Sequence, residues 1–527
     1  MDGYTVFAAA LGGLGLVLAL VDRVFPANRP CDPREPPIVP SRIPWIGHII
    51  GIIRHGARYY KMVCADSTQP IVTLPTLNSR TYVVSSPPLA SLVQRASKTL
   101  SFNSLITEVT RRMVGFDEQT MAIVTHNMNN EDGTNTGLML DVHHAMYSVL
   151  MENPELYKMG QSTLRESMKF ANSVKKEGED LDDLFAWTQR GLSLSAATAI
   201  YGPQNIFALD PTLYDDFWTF EGGLIGLLVD VFPSIFVRKA NNARKRLINA
   251  LIKYVEEGHY KDASKLIQNR YHAHIGNGFT EEAWARSELG MLMGALVNAS
   301  VSVFWMVINV FSRPKLLVEL RKELEPIVDV DGTKRTVNIH RLRSSCPLII
   351  ATFRESLRIY ADIQSVRYVT DDTLLADKYF LRKDTVVQIA GGVIHADKGV
   401  WGPDATSFNP YHFIESSNQA QISGKDDSAK ESTTDRKSRH PASFRAFGGG
   451  ATLCPGRHFA QIEICGFVAV LILGFDVTPV GSESIKVPEK DDYKFPIGVS
   501  KPASPTKVRL QRRKGLEDVL WACDVSA

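Results

Sequence analysis

The stretch 444–461, FRAFGGGATLCPGRHFAQ, decides the fold. Three consecutive glycines, Gly448, Gly449 and Gly450, precede a single cysteine, Cys454, and the chain then turns strongly apolar in RHFAQIEICGFVAVLIL. Without Cβ atoms these glycines let the backbone turn tightly and approach a planar group, with Phe447 shielding one side. Cys454, followed by Pro455 and Gly456, falls on a turn that starts the next helix. Local amide donors and the helix N-terminus there favour a thiolate. Taken alone, a glycine-rich loop before a helix could equally cradle phosphate.

FGGGATLCPGR resembles the haem-binding signature of the cytochrome P-450 family, Phe-x-x-Gly-x-x-x-Cys-x-Gly. Three upstream segments resemble the family's in the same order. Glu355 and Arg358, in ATFRESLRIY, are three apart on one predicted helix face and match the Glu-x-x-Arg pair that supports the haem loop; such a pair alone is commonplace and solvated. Arg367, in SVRYVTDD, matches the strand arginine that pairs with a haem propionate, work suited to a guanidinium. HADKGVWGPDATSFNPYHF, 395–413, resembles the segment that completes the support, but His412 stands where the family has an arginine. The loop arginine two before the cysteine is replaced by Thr452, which removes one expected propionate contact. His143 and His144 are candidates to replace it, although surface histidines are the simpler reading.

Residues 289–311, LGMLMGALVNASVSVFWMVINVF, predict an uncharged buried helix with small residues at its centre, suited to pass over a cofactor. Family members carry an acid–alcohol pair here to deliver protons to bound oxygen. Aligned on Trp305, this chain has Val297 and Asn298 at those places, so Asn298 is the candidate catalytic residue. The spacing from Asn298 to Phe304-Trp305, GATLCPGR, and GTNT at 133–136 resemble the branch holding cholesterol 7-alpha-hydroxylase and prostacyclin synthase. That branch contains both hydroxylases and a redox-neutral isomerase.

Around this core, 155–175 and 214–258 carry the three- and four-residue spacing of amphipathic helices, and 366–394 reads as small hairpins. The expected fold is therefore mainly α with small β-sheets. Residues 4–21 are uncharged and nearly long enough to cross a bilayer, and Arg23, Arg29 and Arg34 would hold the body on the cytosolic side. The expected domains are an anchor at 1–25, a proline-rich hinge at 26–48 and a catalytic domain at 49–527. Within the last, 415–440 is too polar to pack and reads as a surface insertion.

Composition narrows the function further. Lys plus Arg (59) nearly balances Asp plus Glu (57), so no global field marks a nucleic-acid binder. Six scattered cysteines fit neither a zinc site nor a disulfide scaffold. The resemblance implies haem b ligated by Cys454, with Phe447, Gly448, Gly450, Gly456 and Arg367 around it and Glu355, Arg358 and His412 in support. It also implies electrons from NADPH through cytochrome P-450 reductase, a single-pass endoplasmic-reticulum location, and a lipophilic sterol-, terpenoid- or polyketide-like substrate in secondary metabolism. A peroxide isomerase working without a reductase and a non-catalytic haem carrier are the alternatives.

Overall fold

IVTLP and RTYVV, rich in β-branched residues, form the antiparallel pair β1 (Ile71–Pro75) and β2 (Arg80–Val84). This is a computed structural model describing residues 30–526, except 42, 44–45, 66, 77–78, 415–438 and 495–497. Helix α1 (Pro87–Arg95) follows, with prolines in its first turn, where their missing N–H groups cost nothing. After β3 (Leu100–Ser101) come α2 (Leu138–Leu150), α3 (Leu184–Tyr201), α4 (Lys265–Gly276), α5 (Glu281–Phe311) and α6 (Pro347–Tyr360). Strands β4 (Gln364–Val369) and β5 (Val386–Ala390) precede α7 (Arg457–Gly474).

The main sheet has the order β1-β2-β5-β4-β3. Val387 of β5 lies opposite Arg367 of β4 and Tyr82 of β2, so the sheet fixes Arg367 relative to the N-terminal strands. The described part of the proline strap runs along β1, with Pro36 and Pro37 carbonyls accepting from Thr73 Oγ1 and N at 2.7 and 2.8 Å.

The predicted central helix is longer than its uncharged part. Thr280 caps α5 by accepting from Ala283 N–H at 3.1 Å, and Glu281 and Glu282 favour its positive end. From Ala299 to Phe311 every residue is buried, as expected of a helix apolar on all sides. It packs on α3, α6 and α7. Both α5 and α7 are long and apolar enough to cross a membrane, but most of each is buried inside the protein, so both are core helices.

One sequence expectation changes. The amphipathic run at 214–258 is broken into Leu213–Gly222, Leu224–Val229, Pro233–Phe236 and Arg238–Glu256. Gly222-Gly223 interrupts it first, and Asp230 and Phe232 then take left-handed φ of 57° and 42° just before Pro233. At 366–394 the small hairpins form as expected, Thr373–Leu375 pairing with Tyr379–Leu381 and β4 with β5, and β5 also pairs in parallel with β2. The other helical stretch holds, as Pro154–Asn172. The expected anchor at 1–25 lies outside the described residues, as does the insertion at 415–440 save Arg439 and His440.

Candidate functional site

The glycine loop is closed by Cys454 N–H donating to Phe447 O and Gly448 N–H to Arg445 O, both at 2.9 Å. Gly448 and Gly450 take left-handed φ of 75° and 63°, which only glycine adopts freely. Gly449 is extended and is needed for space: a Cβ there would stand 2.8 Å from Gln94 Nε2 on α1 and 2.9 Å from Arg445 Nη1. A Cβ on Gly456 would stand 3.8 Å from Cys454 Sγ, so glycine keeps one approach to the sulfur clear. The ring centroid of Phe447 lies 6.3 Å from that of Phe353 on α6.

Cys454 is half-buried, whereas Cys346, Cys465 and Cys523 are buried in packing positions. Burial pushes the Cys454 thiol up; the N–H groups of Gly456 and Arg457 and the Arg457 charge pull it down without prevailing. The donors expected to favour a thiolate are thus present, and a cation on the sulfur would supply the rest. Arg457 Nη1 donates to Cys454 O at 3.1 Å, and Tyr147 of α2 donates its hydroxyl to Leu453 O at 2.9 Å. His143 and His144 are exposed, His143 stacked on Tyr147, so the surface reading of both holds.

Glu355 and Arg358 are not the solvated pair that spacing alone suggests. Both side chains are wholly buried and form a bidentate bridge, Nε to Oε2 at 2.7 Å and Nη2 to Oε1 at 2.6 Å. Arg358 also donates to the carbonyls of His395 and Ala405, each at 2.5 Å, and of Ser407 at 3.2 Å. Glu355 accepts from Asn409 N–H at 2.8 Å. His412 bridges two acids, its ring nitrogens 3.2 Å from Glu355 and 3.1 Å from Asp404. Burial opposes ionisation of Glu355, but the hydrogen bonds from Arg358 and His412 outweigh it and hold the carboxyl below its usual range.

Arg367 is likewise buried rather than exposed on its strand, donating to Val366 O at 2.8 Å and to Thr452 Oγ1 at 2.6 Å. Desolvation pulls its pKa down to about 10. Arg445, which sequence reasoning passed over, is buried beside the same loop. Among the described residues its Nε and Nη2 have no hydrogen-bond partner, and neither has Gln94 Nε2. Its one sequence signal is a charge inside the apolar approach FRAF. Haem needs a ligand, an approach free of side chains, and donors for two carboxylates. Cys454, the glycines, and the Arg367–Arg445 pair fit those needs.

On α5, Gly294 is exposed and nothing lies within 4 Å of where its Cβ would be, although Leu292, Met293, Leu296 and Val297 around it are buried. Ala295 and Asn298 are half-buried beside it, so this face borders open space. Asn298 Oδ1 accepts from Val499 N–H at 2.9 Å, which leaves its Nδ2 as a donor. Trp305 donates to Ser500 O at 2.7 Å and stacks on Tyr360 with centroids 3.7 Å apart. The helix and the 498–500 segment are thereby locked in register. Val297 is buried and offers no acid.

The family model for cytochrome P-450 matches residues 220–510. The chain is 30% identical, over 93% of its length and 92% of the relative's, to a cytochrome P-450 monooxygenase from Hypoxylon pulicicidum. It is 29% identical to another from Gibberella zeae, over 96% of this chain and 94% of the relative. Cholesterol 7-alpha-monooxygenase of Cricetulus griseus is 23% identical over 54% of this chain and 56% of its own, in line with the branch that the Asn298 pattern resembles.

Proposed function

Because this chain belongs to the cytochrome P-450 family and is a haem-thiolate monooxygenase, we propose that Cys454 ligates haem b and that the enzyme oxidises a lipophilic substrate. The observation that carries the reading is one loop that brings a partly exposed cysteine, a backbone cleared by glycine, and two buried guanidinium groups together. When bound, the haem supplies the oxygen chemistry, which thiolate ligation favours by donating electron density to iron.

The protein's own residues then bind, orient and exclude. Gly456 keeps one approach to the sulfur clear, Gly448 and Gly450 let the loop turn, and Phe447 shields it. Arg457 and Tyr147 fix the carbonyls on either side of the Leu453–Cys454 peptide. Glu355, Arg358 and His412 tie α6 to the segment 395–412 and so brace the loop from behind. Asn298, on α5, would present an amide donor that orients a water in the open space beside Gly294. With its Oδ1 committed to Val499, it does not take up and pass on a proton as an acid–alcohol pair would.

Electrons come from NADPH through a flavoprotein reductase, and the substrate is sterol-, terpenoid- or polyketide-like, in secondary metabolism; the cholesterol-oxidising relative supports the sterol end of that range. A single N-terminal helix holds the enzyme on the endoplasmic reticulum with its catalytic domain in the cytosol. Exposed Val231, Phe232, Ile235 and Phe236 give the body a second means of lipid contact. The test is the reduced, carbon-monoxide-bound spectrum of wild type and Cys454→Ser, with turnover of a substrate panel. Wild type shows the red-shifted Soret band and NADPH-dependent oxidised product, and the variant loses both. A retained band in Cys454→Ser would remove the ligand assignment, and product formed from a hydroperoxide without NADPH would favour the isomerase.

A further inference from the structure

Arg445 is 2% exposed, and nothing in the thiolate signature accounts for it. Its backbone N–H donates to His395 Nε2 at 2.8 Å, which fixes where the side chain starts. Among the described residues the guanidinium makes one hydrogen bond, Nη1 to Gln94 Oε1 at 3.1 Å, and Nε and Nη2 are buried without a partner. Gln94 Nε2 is a further buried donor without one. Gly449 fits against both side chains, and any Cβ there would displace them.

A neighbouring charge makes matters worse. Arg367, also buried, repels Arg445, and after desolvation this is the second cause that lowers the Arg445 pKa. Neither arginine has a carboxylate partner among the described residues. Two buried like charges and a buried amide donor packed against one glycine loop are costly unless an anion completes them. Thr452 does not help, because its neutral hydroxyl carries no counter-charge, accepts from Arg367 and donates to Gly449 O at 3.2 Å.

We propose that Arg445, with Arg367 and Gln94, forms an anion clamp for the haem propionates, Arg445 reaching in from the N-terminal arm of the loop to replace the arginine missing at position 452. The inference rests on haem binding at Cys454 and adds a binding residue that the signature does not contain. Arg445 forms charge-assisted bonds from Nε and Nη2 to one carboxylate, and Arg367 serves the other.

The test uses the haem-loaded full chain and follows haem loss to excess apomyoglobin, with far-ultraviolet circular dichroism as the folding control. Arg445→Met is expected to lose haem about tenfold faster or more, while the haem that remains keeps the thiolate Soret band. That band separates failure of the clamp from failure of the ligand. Wild type reconstituted with haem dimethyl ester, whose propionates are neutral, should lose it fast, and Arg445→Met should lose ester and free acid at more similar rates. Adding Thr452→Arg to Arg445→Met should restore retention. A folded Arg445→Met with the wild-type rate and the wild-type preference for the free acid overturns the clamp, as does Thr452→Arg failing to slow loss in that background. Should Arg445→Met not fold, Arg445→Gln, which keeps an amide beside Gln94, is read by the same criteria.

Discussion

Asn298 Oδ1 accepts from the backbone N–H of Val499 at 2.9 Å, and a Cβ on neighbouring Gly498 would stand 1.8 Å from the same oxygen. The amide is therefore held in one orientation by a segment about two hundred residues away in sequence. One hydrogen bond of this kind is worth about 0.5–1.5 kcal/mol, or roughly two- to tenfold in a rate. Asn298→Ala is expected to lower product formed per NADPH consumed by about that factor, with the carbon-monoxide spectrum unchanged. Gly498→Ala, which displaces the amide without removing it, should do the same. Full coupling in both variants would show that Asn298 only packs.

The Glu355–Arg358 pair carries more energy than His412. Removing one partner of a wholly buried ion pair strands the other charge, at a cost of about 3–5 kcal/mol. Arg358 also satisfies three carbonyls. Arg358→Met should yield almost no soluble protein with the thiolate Soret band. His412→Ala removes two longer contacts, one of them to the partly exposed Asp404, and should keep most of that yield. The ranking of the two yields is the measurement, and the reverse order would contradict the geometry.

How far the sequence carries the reading differs by residue. Cys454, Gly448, Gly450, Glu355 and Arg358 are legible because FGGGATLCPGR and ESLR resemble the family's motifs. Each motif spans only one short turn or one helix face, so its residues stay together in the fold. Arg445 was passed over because its role depends on Gln94 and Arg367, which lie some 350 and 80 residues away and meet it only through the sheet and α1. The break of the 214–258 helix was hidden for a related reason. Three- and four-residue periodicity persists across Gly222-Gly223 and Pro233, and only the left-handed residues Asp230 and Phe232 reveal the turn.

Acid sensitivity should begin above the carboxylate range. His274 of α4 is fully buried: Nδ1 lies 2.7 Å from Arg270 O and Nε2 3.4 Å from Ser287 Oγ. Burial, and then the Arg270 charge, push its pKa down to about 3. The unfolded chain binds a proton as pH falls below about 6.5 while the folded chain does not, so stability falls with pH between these values. One such histidine contributes a slope of roughly 1.4 kcal/mol per pH unit. Glu355, whose folded pKa is depressed, adds its loss only at lower pH, below the ordinary value of 4.5. Half-lives at a fixed elevated temperature should shorten from pH 7 to pH 5 in wild type and shorten less in His274→Gln. Equal pH dependence in the two proteins would mean that His274 does not govern this window.

Phe232 and Phe236 are 67% and 72% exposed, with Val231 and Ile235 beside them, on a turn whose left-handed residues hold the apolar side chains outward. A surface of this kind costs solubility unless lipid covers it. A chain lacking residues 1–25 is therefore expected to bind neutral phosphatidylcholine vesicles. Burying a phenylalanine is worth about 1.5–3 kcal/mol, so Phe232→Ser with Phe236→Ser should weaken vesicle binding by at least about a hundredfold. Since the driving force is apolar, half-molar salt should leave binding nearly unchanged, whereas an electrostatic attachment would be screened. Vesicle binding that survives the double substitution, or that disappears in salt, would mean that another surface makes the contact.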